Sequence, residues 1–95
     1  MNGTLMLFSI FDQAADAFMR PWVAPTKAVA LRMFSDMAND PEHEISKHSG
    51  DYCLFCVGTF CEDTAELNPA KESLGFAVEY QHSQNQPVYG ENNTP

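Results

Sequence analysis

The sequence predicts an α+β fold in which one helix packs on one face of a small antiparallel sheet of about three to four strands. Two apolar segments rich in strand-forming residues lie at 5–11 and 52–60, and residues 27–38 have the apolar periodicity of a helix. An amphipathic helix needs an apolar surface to pack on, and a sheet of a few strands is the simplest surface that the other segments can form.

The strand-forming segments differ in the position that they predict within the sheet. LMLFSIF at 5–11 is continuously apolar, which fits either a strand buried on both faces or an edge strand covered at a partner interface. FMRPWV at 18–23 contains Pro21, which fits an edge strand or an extended arm. YCLFCVGTF at 52–60 is largely apolar on both of its faces and predicts a central strand.

The helix is predicted between a capping threonine and a proline turn. Thr26 is a suitable N-cap, the helical pattern runs from Lys27 to Ala38, and Asn39-Asp40-Pro41 ends it. Apolar residues at helical spacing predict the buried face, which should contain Val29, Ala30, Met33, Phe34 and Met37.

The C-terminal third gives weaker signals. Residues 62–66 predict a turn, after which Leu67 begins a short returning strand that Pro69 should end. SLGFAVEY at 73–80 fits either a strand or a helical turn. Few apolar residues follow, so we expect one domain over residues 1–80 and a disordered, flexible tail over residues 81–95.

Size and charge restrict the classes of function. A chain of 95 residues is expected to form one small domain, which oligomerisation would help to stabilise. Five Lys and Arg residues against thirteen Asp and Glu residues give a net charge of −8. Such a balance disfavours strong non-specific binding to nucleic acid.

The N-terminal apolar run does not have the features of a targeting segment. No basic residue precedes it, no small-residue cleavage site follows it, and it is too short to span a bilayer. We therefore expect a cytoplasmic protein without membrane association.

Two groups of residues are candidate metal sites. His43 and His48 lie among carboxylates in a loop, but they are five residues apart, whereas a zinc helix requires a spacing of four. Cys53 and Cys56 form a C-x-x-C pattern inside a predicted strand, where residues three apart face opposite sides. With Cys61 they are expected to be free thiols, largely packed in the core. We predict no metal and no cofactor; a small zinc protein using the three cysteines and a histidine is the alternative.

Catalytic patterns are not found in the sequence. It contains no G-x-S-x-G elbow and no glycine-rich phosphate loop. Paired carboxylates are present, but an acidic chain would contain them in any case. No nucleophile, base and orienting group can be assembled, so we do not expect an enzyme.

The few cations suggest a second kind of site. Arg20-Pro21-Trp22 places a guanidinium beside a large ring, a combination that often holds single-stranded nucleic acid. The candidate nucleic-acid-binding residues are Arg20, Trp22, Lys27, Arg32 and Lys47. Alternatively, the ring packs on the sheet and the cations serve only solubility.

Several short stretches, taken in order, resemble a known family. They are LFSIFD at 7–12, AVALRMFSDMANDPE at 28–42, ISKHSGDYCLFCVGTFCEDTAEL at 45–67 and LGFA at 74–77. Together they resemble the small nonstructural protein of gokushovirus-type microviruses, which are phages with single-stranded DNA genomes. The matching positions are Phe34, Ser35, Asp36, Asn39, Asp40, Pro41, Lys47, His48, Asp51, Tyr52, Leu54, Gly58 and Phe60. Ser49-Gly50 and Ala65 depart from the family pattern.

The resemblance implies a non-enzymatic accessory role in viral single-stranded DNA synthesis or packaging, in the cytoplasm of a host bacterium. One hypothesis is a homodimer that binds single-stranded DNA through the five residues named above. The alternative is an acidic module that binds a basic replication or capsid-assembly protein without contacting DNA. In both cases the loop at 40–51 is a structural element, with Asp40 turning the backbone and Ile45 anchoring the loop to the core.

Overall fold

A computed structural model describes residues 3–82 as a five-stranded antiparallel sheet with helices on one face. This confirms the predicted α+β class, although the sheet has more strands than expected. The elements in chain order are β1 (Thr4–Asp12), β2 (Ala17–Phe18), β3 (Trp22–Ala24), α1 (Lys27–Asn39), α2 (Glu44–Lys47), β4 (Tyr52–Cys61), β5 (Leu67–Phe76) and a 3-10 helix (Ala77–Tyr80).

The two strongest strand segments form the centre of the sheet. β1 pairs with β4 along its whole length, and β4 pairs with β5 on its other side. β2 and β3 both pair with the free side of β1, on either side of Pro21. The central position predicted for β4 and the edge position predicted for residues 18–23 are confirmed. For β1, the edge-strand alternative is wrong.

The prediction that Pro69 ends a short returning strand is wrong. β5 continues through Pro69 to Phe76 and forms a long hairpin with β4. Among the described residues β5 is an edge strand, where a residue without an N–H group is tolerated. The register also shifts beside Pro69, which lies opposite Gly58. Residues 73–80 combine the two predicted alternatives, since the strand leads directly into the 3-10 helix.

The helix begins as predicted, but its buried face is rotated. The Thr26 hydroxyl accepts a hydrogen bond from the Val29 N–H at 3.2 Å, which confirms the N-cap. The residues that α1 buries are Ala30, Phe34 and Ala38, whereas Val29 and Met33 are each 40% exposed. The assignment of Val29 and Met33 to the buried face is therefore wrong, because two alanines flanking Phe34 let the helix approach the sheet closely along that stripe.

The core lies between the sheet and the helical elements. Its largest fully buried side chains are Phe8 and Leu54 from the central strands, Phe34 from α1 and Ile45 from α2. The burial of Ile45 confirms that it anchors the loop after α1.

The chain remains attached to this layer beyond the boundary predicted at residue 80. Gln81 donates to the carbonyls of Ala38 (2.9 Å) and Ser46 (3.1 Å). The His82 N–H donates to the Asn39 side-chain oxygen at 3.0 Å. The rest of the predicted tail, residues 83–95, lies outside the described residues.

Candidate binding surface

The five residues predicted to bind nucleic acid lie on four different parts of the fold. Arg20 is exposed in the loop between β2 and β3, Trp22 is in β3, Lys27 and Arg32 are in α1, and Lys47 is in α2. They do not belong to one element, and their neighbours differ.

Trp22 and Lys27 are engaged in contacts of their own. Trp22 lies opposite Phe8 on the helix-covered side, with ring centroids 6.1 Å apart, and packs against the core. Its indole N–H is buried and has no partner among the described residues. The Lys27 ammonium lies 3.0 Å from the Glu72 carboxylate. The Trp22 ring, which the sequence suggests for stacking on a base, thus packs against the core in this structure.

The loop at 40–51 is held by its own hydrogen bonds. Asp40 is the C-cap of α1, and its side chain accepts from the Glu42 N–H at 2.9 Å. His43 caps α2, with Nδ1 accepting from the Ile45 N–H at 3.1 Å. The Asp51 N–H donates to the His48 carbonyl at 2.9 Å and so leads the chain into β4.

The cysteines are separated by the sheet. Cys53 lies opposite Phe11 and Cys56 opposite Phe8, so the two thiols face opposite sides, as predicted. Cys53 and Cys56 are buried and Cys61 is half-buried; all three are free. Among residues 3–82, no three side chains of the metal-binding types come together.

The face of the sheet opposite α1 carries a continuous set of apolar side chains, and we call it the open face. Register and strand alternation assign to it residues from all five strands. They include Leu5, Leu7, Phe11, Phe18, Val23, Phe55, Phe60 and Leu67. Of these, Phe18, Val23 and Leu67 are 43%, 51% and 61% exposed.

Three aromatic rings cluster at one end of the open face. Phe18 lies 4.8 Å from Phe11 and 5.3 Å from Phe55, measured between ring centroids. The Lys71 ammonium lies 5.9 Å from the Phe18 centroid, within the range of a cation–π contact. Beneath the rings, the buried Ser9 hydroxyl donates to the Met19 carbonyl at 2.6 Å.

Charge is distributed very unevenly between the two sides of the domain. Lys71 is the only charged residue at the described strand positions that face the open side, and Glu72 faces the helices, where it pairs with Lys27. Exposed carboxylates occupy the turns and the helical elements instead. They are Asp16, Asp36, Asp40, Glu42, Glu44, Glu62, Asp63, Glu66 and Glu79. The strand positions of the open face thus carry a single charge, while the exposed carboxylates are concentrated in the turns and the helical elements.

Two side chains at the ends of β4 have pKa values shifted from their ordinary values. Burial raises the pKa of Tyr52, and the carboxylates of Asp12, Glu44 and Asp51 raise it further. A hydrogen bond from the Thr64 side chain, followed by backbone hydrogen bonds from the same turn, lowers the pKa of Cys61.

The sequence predicts exposed apolar residues on the sheet but does not locate the open face. β4 is apolar on both faces, which predicts a central strand without showing which face the helix covers. The alternation of Leu5, Leu7 and Phe11 in β1 was the signal that a second apolar face existed.

The fold and its surfaces define a small α+β domain with one uncovered apolar sheet face. The sequence model of the Phage ORF5 protein family matches residues 5–80, so the chain belongs to this family of phage proteins. No curated protein and no solved structure matches the chain. Within residues 3–82, none of the helices is long and apolar enough to cross a membrane.

Proposed function

We propose that this protein is a non-enzymatic phage accessory protein that acts in viral single-stranded DNA synthesis or packaging by binding a basic phage protein. The resemblance to gokushovirus-type microviruses supports the viral context. The observation that supports the mode of action is the group of exposed carboxylates on α1, α2 and the turn between them.

The helical elements offer an acidic docking surface. Asp36, Asp40, Glu42 and Glu44 are exposed along α1, α2 and the turn between them. A basic replication or capsid-assembly protein would be attracted to these charges, and the attraction would weaken as salt screens it. A polyanion would be repelled by the same charges.

A capture experiment in phage-infected cells tests this proposal. The tagged chain should retain a basic phage protein after nuclease treatment, and rising salt should release it. The double substitution Asp36→Lys with Glu42→Lys should abolish capture. The matched control is Asp63→Lys with Glu66→Lys, which changes the charge equally at the far end of β4 and should leave capture intact.

Two results would contradict the proposal. Loss of the partner on nuclease treatment would mean that nucleic acid bridges the two proteins. Equal loss in both double variants would mean that only the net charge of the chain matters.

A second candidate function is direct binding of single-stranded DNA on the open face. The observation that favours it is Lys71 beside the Phe18 ring on a face whose strand positions carry no carboxylate. Rings that stack on bases and cations that contact phosphates are the usual combination for such binding.

Fluorescence anisotropy with labelled single-stranded DNA separates the possible DNA sites. Direct binding should weaken with salt, with a slope of about −0.7 in log affinity per phosphate contact. Loss of affinity in Lys71→Glu would locate the DNA on the open face. Loss in Arg20→Glu with Lys47→Glu would locate it on the residues predicted from the sequence. An absence of binding even at low salt would exclude direct DNA engagement.

A further inference from the structure

We propose that the open face is covered by a second copy of this chain, so that the protein is a homodimer built by packing two sheets face to face. This goes beyond the proposed function and does not depend on it, because the purified chain alone tests it.

The extent of the open face suits such an interface. It is four strand rows wide and about nine residues long, which corresponds to about 600 Å² at the usual strand spacing and rise. A stable interface buries about 800 Å² on each partner, whereas the largest apolar patch on a monomer is commonly about 300 to 600 Å². The open face, at about 600 Å², lies at the upper end of the monomer range and is about three quarters of what one partner buries in a stable interface, so residues around its rim would supply the rest.

The charge pattern makes the open face the surface on which two acidic copies meet with the least repulsion. Each chain has a net charge of −8, so two copies repel each other wherever their carboxylates meet. On the open face the strand positions contribute only Lys71, which lies on the edge strand β5. In a two-fold interface the same patch meets itself. Packing through the open face therefore brings no strand carboxylates of the two copies against each other.

The sheet edges are poorly suited to the same role. On one side the edge consists of β2 and β3, which have two and three residues and are separated by Pro21. On the other side β5 carries Pro69, Lys71 and Glu72, and proline and charged side chains disfavour strand addition. Face-to-face packing, with sheets about 10 Å apart and side chains interdigitated, is therefore the arrangement that the fold permits.

Sedimentation equilibrium of the full-length chain tests the dimer. We expect twice the monomer mass of 10.6 kDa, falling to the monomer mass on dilution. The midpoint of thermal unfolding should rise with protein concentration, because dissociation accompanies unfolding. A chain that stays monomeric throughout the accessible concentration range would overturn the proposal.

Two matched substitutions locate the interface. Val23→Glu on the open face should raise the dimer dissociation constant by about tenfold or more, because each two-fold interface receives two buried carboxylates. Val78→Glu makes the same change on the 3-10 helix, where Val78 is 45% exposed against 51% for Val23, and should have no effect. Lys71→Glu tests the same face without removing an apolar side chain and should also weaken the dimer.

Each remaining outcome has a definite meaning. Dimers that survive both Val23→Glu and Lys71→Glu would show that another surface associates. Equal weakening by Val23→Glu and Val78→Glu would show a general effect of added charge. Both results overturn the proposal. If the chain dimerises but captures no basic phage protein, the proposed function fails and this inference stands.

Discussion

At the scale of single residues, β4 begins with a phenol whose pKa is raised and ends with a thiol whose pKa is lowered. Tyr52 is 8% exposed and has acidic neighbours, so its pKa is raised, whereas hydrogen bonds from the turn after β4 lower the pKa of Cys61. Both shifts follow from the position of the strand ends, since Tyr52 enters the core from the acidic loop and Cys61 leaves it at the hairpin.

Stability is expected to fall in alkaline solution because of Tyr52. Its folded-state pKa is raised above the ordinary value of 10.0, so folding favours the protonated phenol. That contribution is fully present below the unfolded-state pKa and is lost as the pH rises through the folded-state pKa. Urea unfolding at increasing alkaline pH should show this loss, and Tyr52→Phe should flatten the alkaline limb. Identical pH profiles for the two proteins would contradict the prediction.

Cys61 is expected to be the first thiol to react with an alkylating reagent. It is half-buried and has a lowered pKa, whereas Cys53 and Cys56 are each 3% exposed. Thr64→Val removes the hydrogen bond that contributes most to the lowered pKa, so it should move the pH dependence of alkylation to higher pH. Mass spectrometry of peptides after brief labelling measures both effects. Equal labelling of the three cysteines would show that the thiols are not distinguished in this way.

At the scale of elements, hydrogen bonds made by Gln81 and Asn39 connect α1, α2 and the 3-10 helix. Gln81 donates to the last turn of α1 and to α2, and it accepts from the Ser49 hydroxyl at 2.9 Å. Asn39 complements it, donating to the Tyr80 carbonyl at 2.9 Å. Single side chains thus satisfy carbonyls at helix ends, which otherwise have no intrahelical partner.

Gln81→Ala is expected to destabilise the domain by about 1 to 3 kcal/mol, because it leaves the Ala38 and Ser46 carbonyls without their donor. Gln13→Ala is the control, since Gln13 is exposed in the turn after β1 and should cost no more than about 0.5 kcal/mol. Urea unfolding of both variants measures their free energies of unfolding. Equal stabilities would show that Gln81 has no part in holding the helical pieces together.

At the scale of the whole molecule, two layers meet at Phe34. It is fully buried, and its ring lies 5.8 Å from that of Tyr80, so it joins α1 to the 3-10 helix as well as to the sheet. A domain this small has little reserve of stability, so the contact between its layers matters for the entire fold.

Phe34→Ala is expected to cost about 3 to 5 kcal/mol, which is enough to unfold much of the protein. The neighbouring Met33→Ala should cost less than about 1 kcal/mol, because Met33 is 40% exposed. Circular dichroism during urea unfolding compares the two. Similar losses in both variants would mean that the helix presents a different face to the sheet.

Much of the element order could be predicted because it depends on local signals. Thr26 caps α1, Asp40 ends it, and the alternation of β4 marks a central strand. The length of β5 could not be predicted, because whether Pro69 breaks a strand depends on whether that strand lies at an edge. The face that α1 turns toward the sheet could not be predicted either, because Val29 and Met33 fit an apolar helical stripe as well as Ala30 and Phe34 do.

The sequence by itself determined the α+β class, the centre of the sheet, the main helix and its caps, because propensity and periodicity act between near neighbours. Tertiary structure alone decided that Trp22 packs against Phe8 and that Phe11, Phe18 and Phe55 share an uncovered face. The physical reason is that a strand apolar on both sides carries no information about which side its helix will cover. That choice is made by contacts between residues distant in the chain.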